Sequence, residues 1–214
     1  MGVTLKLATS LDGRIATASG ESQWITGQPA RDAGHRLRAE HDAVVIGIET
    51  ALADDPELTV RLRGYGGAQP ARVVLDSRQR LPVGSRLARS ARDIPTWVVS
   101  TDPPSDGLTS LGVQVLQVEE LGDGRPELKS TVRRLARVGL GSLMVEGGGQ
   151  VSASFLRCGL VDRIEWFRAP ILLGGEGRPG VGALALTALG DAPRFRRVSA
   201  EAIGDDLWER YERT

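Results

Sequence analysis

The chain has 214 residues, 41% hydrophobic and 25% charged, with a formal net charge of zero. That is a globular balance, without the bulk positive charge that nucleic acid demands. Its single cysteine, Cys158, excludes an intramolecular disulfide, and with only His35 and His41 beside it no tetrahedral Cys/His zinc set can form.

No apolar run approaches the roughly 18 residues of a membrane span, and no signal-like segment opens the chain, so it reads as soluble and cytoplasmic, without a nucleic-acid or membrane partner. Residues 3–10 (VTLKLATS) alternate as a strand does, and Asp12-Gly13 marks a turn. After the polar loop SGESQWITG, residues 28–41 read as a helix with Pro29 at its start. AVVIG (43–47), RVVLDS (72–77) and TWVVS (96–100) suit buried strands; IETALADD, between the first two, suits a short helix or turn. VQVLQV (113–118) alternates, and residues 126–138 form an amphipathic helix stopped by Gly139. SLMVEGGGQ reads as strand, glycine turn and helix start, and that helix ends at Gly159. RIEWFRAPILLG reads as a long strand interrupted at Pro170. FRRVSAEAI and DDLWERYER form a late hairpin around Gly204-Asp205. Alternating strands and helices followed by strands predict one α/β domain over residues 1–214, with a mostly parallel sheet and antiparallel edge strands.

VEGGGQ carries the strongest local signal. Three glycines between a buried strand and a helix permit close ligand approach, and the helix start favours phosphate; the alternative is a tight turn without ligand. Glu146 ends that strand, where ligands of open α/β sheets gather. Ser77 and the arginines of DSRQR follow another strand, where they could bind the 2′-phosphate of NADP or form a polar loop. Arg38 and Arg61 are either phosphate clamps or solvated charges. His35 and His41 read as helix-surface residues, and Cys158 as core. LADDPELTVR (52–61) sets two aspartates before a proline and closes on Arg61.

The blocks LKLATSLDGRIATASGESQWIT, LRAEHDAVVIGIETALADDPELTVR, VVLDSR, MVEGGGQVSASFL, GLVDRI and APILLGG occur in order along nearly the whole chain. In this combination the sequence strongly resembles the pyrimidine reductase of riboflavin biosynthesis, in bacteria usually the C-terminal half of a bifunctional deaminase–reductase. The resemblance implies a dihydrofolate reductase-like α/β fold: one domain with a mostly parallel central mixed sheet, flanking helices and antiparallel C-terminal strands. It also implies NADPH-dependent reduction of 5-amino-6-(5-phosphoribosylamino)uracil to its phosphoribityl product. Carried over by position, Ser22, Arg38, Leu58 and Arg61 would contact the substrate, the serine and arginines at its phosphate, and Glu146 its pyrimidine or sugar end. Ala8, Trp24, Thr50, Asp54 and Ser77 would contact NADPH, together with Gly148, Gly149, Gln150, Val151, Ser152, Ala153 and Ser154.

Reducing a C=N bond leaves a nitrogen needing a proton. Asp54 is the expected catalytic residue for that step, its pKa raised by burial or by Asp55, whose alternative role is to cap the next segment. A strained or cis peptide is expected within Gly147-Gly148-Gly149, because this fold often has one at its cofactor glycines. The zinc deaminase signature HxE…PCxxC is absent from the sequence, so a deaminase is expected as a separate partner or as a missing half. Family members are commonly homodimers, and residues 194–213, with Trp208 and Tyr211, could serve interface or core. A pterin or folate reductase, or a non-catalytic nucleotide-binding regulator, is the alternative reading.

Overall fold

The structure, a computed structural model, describes residues 2–122 and 124–214. In chain order its elements are β1 (Gly2–Thr9), β2 (Arg14–Ala16), α1 (Gln28–Ala39), β3 (Ala43–Gly47), α2 (Ile48–Asp54), β4 (Ala71–Leu75), α3 (Arg86–Arg89) and β5 (Thr96–Ser100). Next come α4 (Asp106–Thr109), β6 (Gln114–Gln117), β7 (Glu120–Leu121), β8 (Arg125–Pro126), α5 (Leu128–Arg137), β9 (Ser142–Val145) and α6 (Gly149–Arg157). The chain closes with β10 (Arg163–Arg168), β11 (Arg178–Pro179), β12 (Phe195–Ile203) and β13 (Asp206–Arg213).

Nine strands make one sheet in the order β12-β13-β10-β1-β9-β3-β4-β5-β6. From β10 to β6 every pairing is parallel, and β13 and β12 add antiparallel to β10. Helices cover both faces. Leu128, Val132 and Leu135 of α5 and Phe155 and Leu156 of α6 pack on Val3, Leu5, Val45, Val73 and Val145. On the other face Ala51 of α2, Leu87 of α3 and Leu108 of α4 pack on Val44, Ile46, Val74 and Val98. There Ala30, Ala33 and Leu37 of α1 also meet Met144 and Phe167. Burying a large aliphatic or aromatic side chain contributes about 1.5–3 kcal/mol, so these aliphatic layers build the core of a chain with only 4% aromatic residues.

Coverage on both faces explains why all five residues of β3 are buried. It also overrides the alternation read in β1, where Thr4 and Thr9 are buried along with Val3, Leu5 and Leu7. The α5 helix begins two residues later than its pattern suggests, because Pro126 belongs to β8 and the Glu127 carboxylate accepts the Lys129 and Ser130 N–H groups. Gly139, at φ 92°, ends it as expected.

The long strand expected around Pro170 stops at Arg168. The Ala169 N–H still reaches the Thr9 carbonyl, but Pro170 has no N–H to continue the ladder. The chain instead crosses back as a strap whose β11 pairs with β2, a contact between segments too short to show periodicity. The late hairpin forms as read, with Trp208 stacked on Phe167 at 5.1 Å between ring centroids, so Trp208 serves the core.

Candidate active site

The parallel order places the ends of β1, β9, β3 and β4 side by side, and the chain leaves each strand there toward a helix or loop. Leaving β3, Gly47 precedes α2; leaving β9, Glu146 and two glycines precede α6. The Val151 side chain lies between these two exits. A Cβ on Gly47 or Gly147 would come within 2.7 Å of it. A Cβ on Gly149 would collide with the Pro179 carbonyl oxygen, since the Gly182 N–H donates to the Gly149 carbonyl at 2.8 Å and draws the strap onto the turn. Gly148 faces Thr50 of α2, whose Oγ1 would be 3.6 Å from an added Cβ.

The expected backbone strain is not there. Gly148 has φ −63° and ψ 173°, none of the three glycines takes a positive φ, and the cis peptide is at Gln23–Trp24. These glycines are small because backbone and Val151 press against them, not because the turn is strained.

Beside the turn sits a partly buried charged cluster. Arg38 of α1 donates from Nε to Glu146 Oε1 at 2.6 Å and from Nη2 to Oε2 at 2.9 Å, and its Nη1 donates to the Thr59 carbonyl at 2.8 Å. Burial opposes charge on both groups. The Arg38 guanidinium, with Lys6 and His35, nonetheless holds the Glu146 carboxyl down to about 2, and the carboxylate raises Arg38 in return. Lys6, from the middle of β1, has its ammonium 5.8 Å from the Phe167 ring centre and within electrostatic reach of Glu146. Burial pulls its pKa down, Glu146 pushes it up, and Arg38 lowers it further; the net shift is downward.

The LADDPELTVR stretch packs against this cluster. Its Leu58, at φ 56°, is buried with the α2 and α3 side chains, so its side chain is not open to a ligand. Arg61 is half exposed, 3.8 Å from Glu57, which also pairs with Arg86 at 2.7 Å. Asp54 ends α2 as an exposed residue whose carboxyl is partly shielded, and that shielding raises its pKa. Asp55, in a left-handed conformation, turns its Oδ1 to the Arg86 N–H at 2.8 Å.

The remaining sequence-read residues spread around the same edge. Ala8 lies on β1, packed against the α1 layer. Trp24 is 65% exposed, with the Arg31 guanidinium 4.7 Å over its ring. Ser22 is half-buried on the same loop. Ser77 lies two residues beyond β4, its carbonyl accepting from Ser100, Thr101 and Asp102. Ser152 is buried in α6, and Ser154 accepts from Arg157.

Two participants were not read from the sequence. Lys6 is one of two lysines and interrupts an apolar strand, which was a usable signal. His35 lies one helical turn before Arg38 and so shares its face. It is half-buried with Nδ1 accepting from the Arg61 N–H at 3.4 Å, not free on the helix surface as expected. His41 departs from that expectation too, since its ring nitrogens meet the Leu37 carbonyl and Thr4 Oγ1. Cys158 is partly buried against the core. Among the described residues no helix is long and apolar enough to cross a membrane.

A mostly parallel sheet with an antiparallel C-terminal hairpin, carrying a glycine turn and a charged cleft at its carboxyl edge, defines a dihydrofolate reductase-like α/β domain. Residues 2–208 match the RibD C-terminal domain family, and the chain belongs to that family. It is similar to the riboflavin biosynthesis protein RibD of Actinobacillus pleuropneumoniae, at 34% identity over 209 residues, covering 96% of this chain and 55% of that one. It is also similar to the 2,5-diamino-6-ribosylamino-4(3H)-pyrimidinone 5′-phosphate reductase of Methanothermobacter thermautotrophicus, at 37% identity over 212 residues, covering 98% and 96%. Among solved structures, RibD of Acinetobacter baumannii aligns with a TM-score of 0.86 at 34% identity, covering all of this chain and 58% of that one. The chain thus spans little more than half the length of the RibD relatives it matches.

Proposed function

We propose that the chain is an NADPH-dependent reductase converting 5-amino-6-(5-phosphoribosylamino)uracil to 5-amino-6-(5-phosphoribitylamino)uracil. The observation that carries this reading is the partly buried Arg38–Glu146 ion pair, with Lys6 nearby, set beside the close-packed glycine turn at the carboxyl edge of the sheet. Gly148 to Ser154, with Thr50, Asp54, Ala8 and Trp24, would hold the cofactor. The close-packed turn leaves the first N–H groups of α6 available for its phosphates, and Ser77 would meet its 2′-phosphate. Bound there, NADPH supplies the hydride.

Glu146, kept ionised, would accept from the pyrimidine or the sugar hydroxyls. Arg38 uses three of its five N–H groups on Glu146 and Thr59, which leaves two for the substrate phosphate. Arg61 and Ser22 would complete that clamp, with the Leu58 backbone beside it. The sugar ring opens to an imine, C1′ takes the hydride, and the nitrogen takes a proton. Asp54 fits the proton step better than Glu146, since burial raises one carboxyl while Arg38 keeps the other ionised.

The relative from Methanothermobacter, matched almost end to end, supports a second reading in which the substrate is the 2,5-diamino-pyrimidinone. Following NADPH oxidation with both pyrimidines, with NADH and dihydrofolate as controls, tests the assignment. Turnover of neither pyrimidine would overturn it. We further propose a cytoplasmic homodimer, supported by the unpaired edge of β12, working with a deaminase supplied separately or by a fused half. Light scattering tests the dimer.

A further inference from the structure

His35 occupies the cleft without a role in the reaction just described. Its Nδ1 accepts from the Arg61 N–H at 3.4 Å, and the nearby Thr59 backbone favours a protonated ring. The charged groups facing it are Arg38 from its own helix, Arg61 from the loop after α2 and Glu146 from beyond β9, with Lys6 of β1 behind Glu146. Two guanidiniums therefore oppose one carboxylate, and that carboxylate is already bonded to Arg38 at both oxygens. Burial and these two arginines lower the His35 pKa, which leaves the ring neutral near pH 7 and able to accept from Arg61.

A phosphate monoester brings a charge of about −1.5 to −2 at neutral pH, enough to reverse the local field at Arg38 and Arg61. We infer that His35 binds a proton when the phosphorylated substrate enters, becoming a third cationic donor of the phosphate clamp and making substrate affinity pH-linked. The inference rests on the phosphate clamp of the proposed function. The proton comes from solvent: neutral imidazole becomes imidazolium, and Nδ1 changes from accepting the Arg61 N–H to donating, with the Thr59 carbonyl or a phosphate oxygen as acceptor. A ring whose pKa is higher in the complex favours binding as pH falls through that higher value, and each unit of upward shift strengthens binding up to about tenfold.

Only two histidines are present, so ring proton resonances of the intact chain can be followed through pH with and without ribose 5-phosphate. The expected result is an upward shift of the His35 midpoint by about one unit or more on binding. Calorimetry of the same binding in buffers of different ionisation heat should show proton uptake by the wild type that exceeds that of His35→Asn. The variant comparison removes the phosphate's own titration. If ribose 5-phosphate binds and the His35 midpoint stays put, the inference is wrong and the clamp survives. If ribose 5-phosphate does not bind at all, the clamp itself is wrong, and this inference falls with it.

Discussion

Arg38 and Glu146 join two distant parts of the chain through one guanidinium edge, Nε and Nη2 each donating to a carboxylate oxygen, with side chains only 14% and 11% exposed. A carboxylate held at about 2 when folded, against an ordinary value near 4.5, stabilises the fold above pH 4.5 and loses that contribution as pH falls toward 2. The difference corresponds to about 3 kcal/mol. Glu146→Gln should therefore cost on the order of 3 kcal/mol at pH 7, where it also strands the Arg38 charge. The gap to wild type should close as pH drops from 5 toward 2. Urea unfolding at several pH values measures this, and a gap independent of pH would contradict it.

The architecture was largely legible in the sequence because its signals are local. AVVIG and TWVVS match β3 and β5 residue for residue. The charged cluster was legible only in part. Glu146 and Arg38 stand 108 residues apart, and nothing in spacing says that they share one hydrogen-bonded contact. The sense of the glycine turn was also hidden, since what crowds Gly149 is a strap about thirty residues later. A pattern of three glycines reports that something comes close, but not whether the cause is a strained dihedral or a neighbouring backbone.

That crowding can be tested directly. Gly149→Ala places a methyl against the Pro179 carbonyl and 3.2 Å from the Gly182 nitrogen, and neither backbone atom can rotate away. It should destabilise by about 1–3 kcal/mol, as overpacking does, and weaken NADPH binding by shifting the strap. Gly148→Ala meets only Thr50 Oγ1 at 3.6 Å, so it should cost only the roughly 0.5–1 kcal/mol by which Gly is the better helix N-cap. Equal losses for the two variants in thermal unfolding would show that the strap is not what fixes the turn.

Ser77 stands just past β4, its carbonyl pinned by donors from three residues, Ser100, Thr101 and Asp102, at the end of β5 and in the loop after it, so the residue is fixed in place. A carboxylate there would repel a 2′-phosphate but tolerate a 2′-hydroxyl. Ser77→Asp should lower kcat/KM for NADPH by about 10–100-fold, roughly 1.4–2.8 kcal/mol of transition-state stabilisation, while the value with NADH holds or improves. Steady-state kinetics with both cofactors decides it, and an unchanged preference would move 2′-phosphate recognition elsewhere.

Asp54 and Asp55 are adjacent but do different work. Asp55 is turned away by its left-handed backbone to hold the Arg86 N–H at the start of α3, so it caps and does not tune its neighbour. Asp55→Ala should cost about 1 kcal/mol in unfolding free energy and leave the pH dependence of kcat unmoved. Asp54 has its pKa raised by partial burial, which keeps more of it protonated toward neutral pH. Wild-type kcat should thus fall as pH rises through that pKa. Asp54→Asn should lower kcat by about 100-fold and flatten the profile, a loss well beyond any accompanying weakening of NADPH binding. Stopped-flow reduction with separately measured cofactor binding distinguishes the two aspartates. Wild-type turnover by Asp54→Asn would remove it from the proton step.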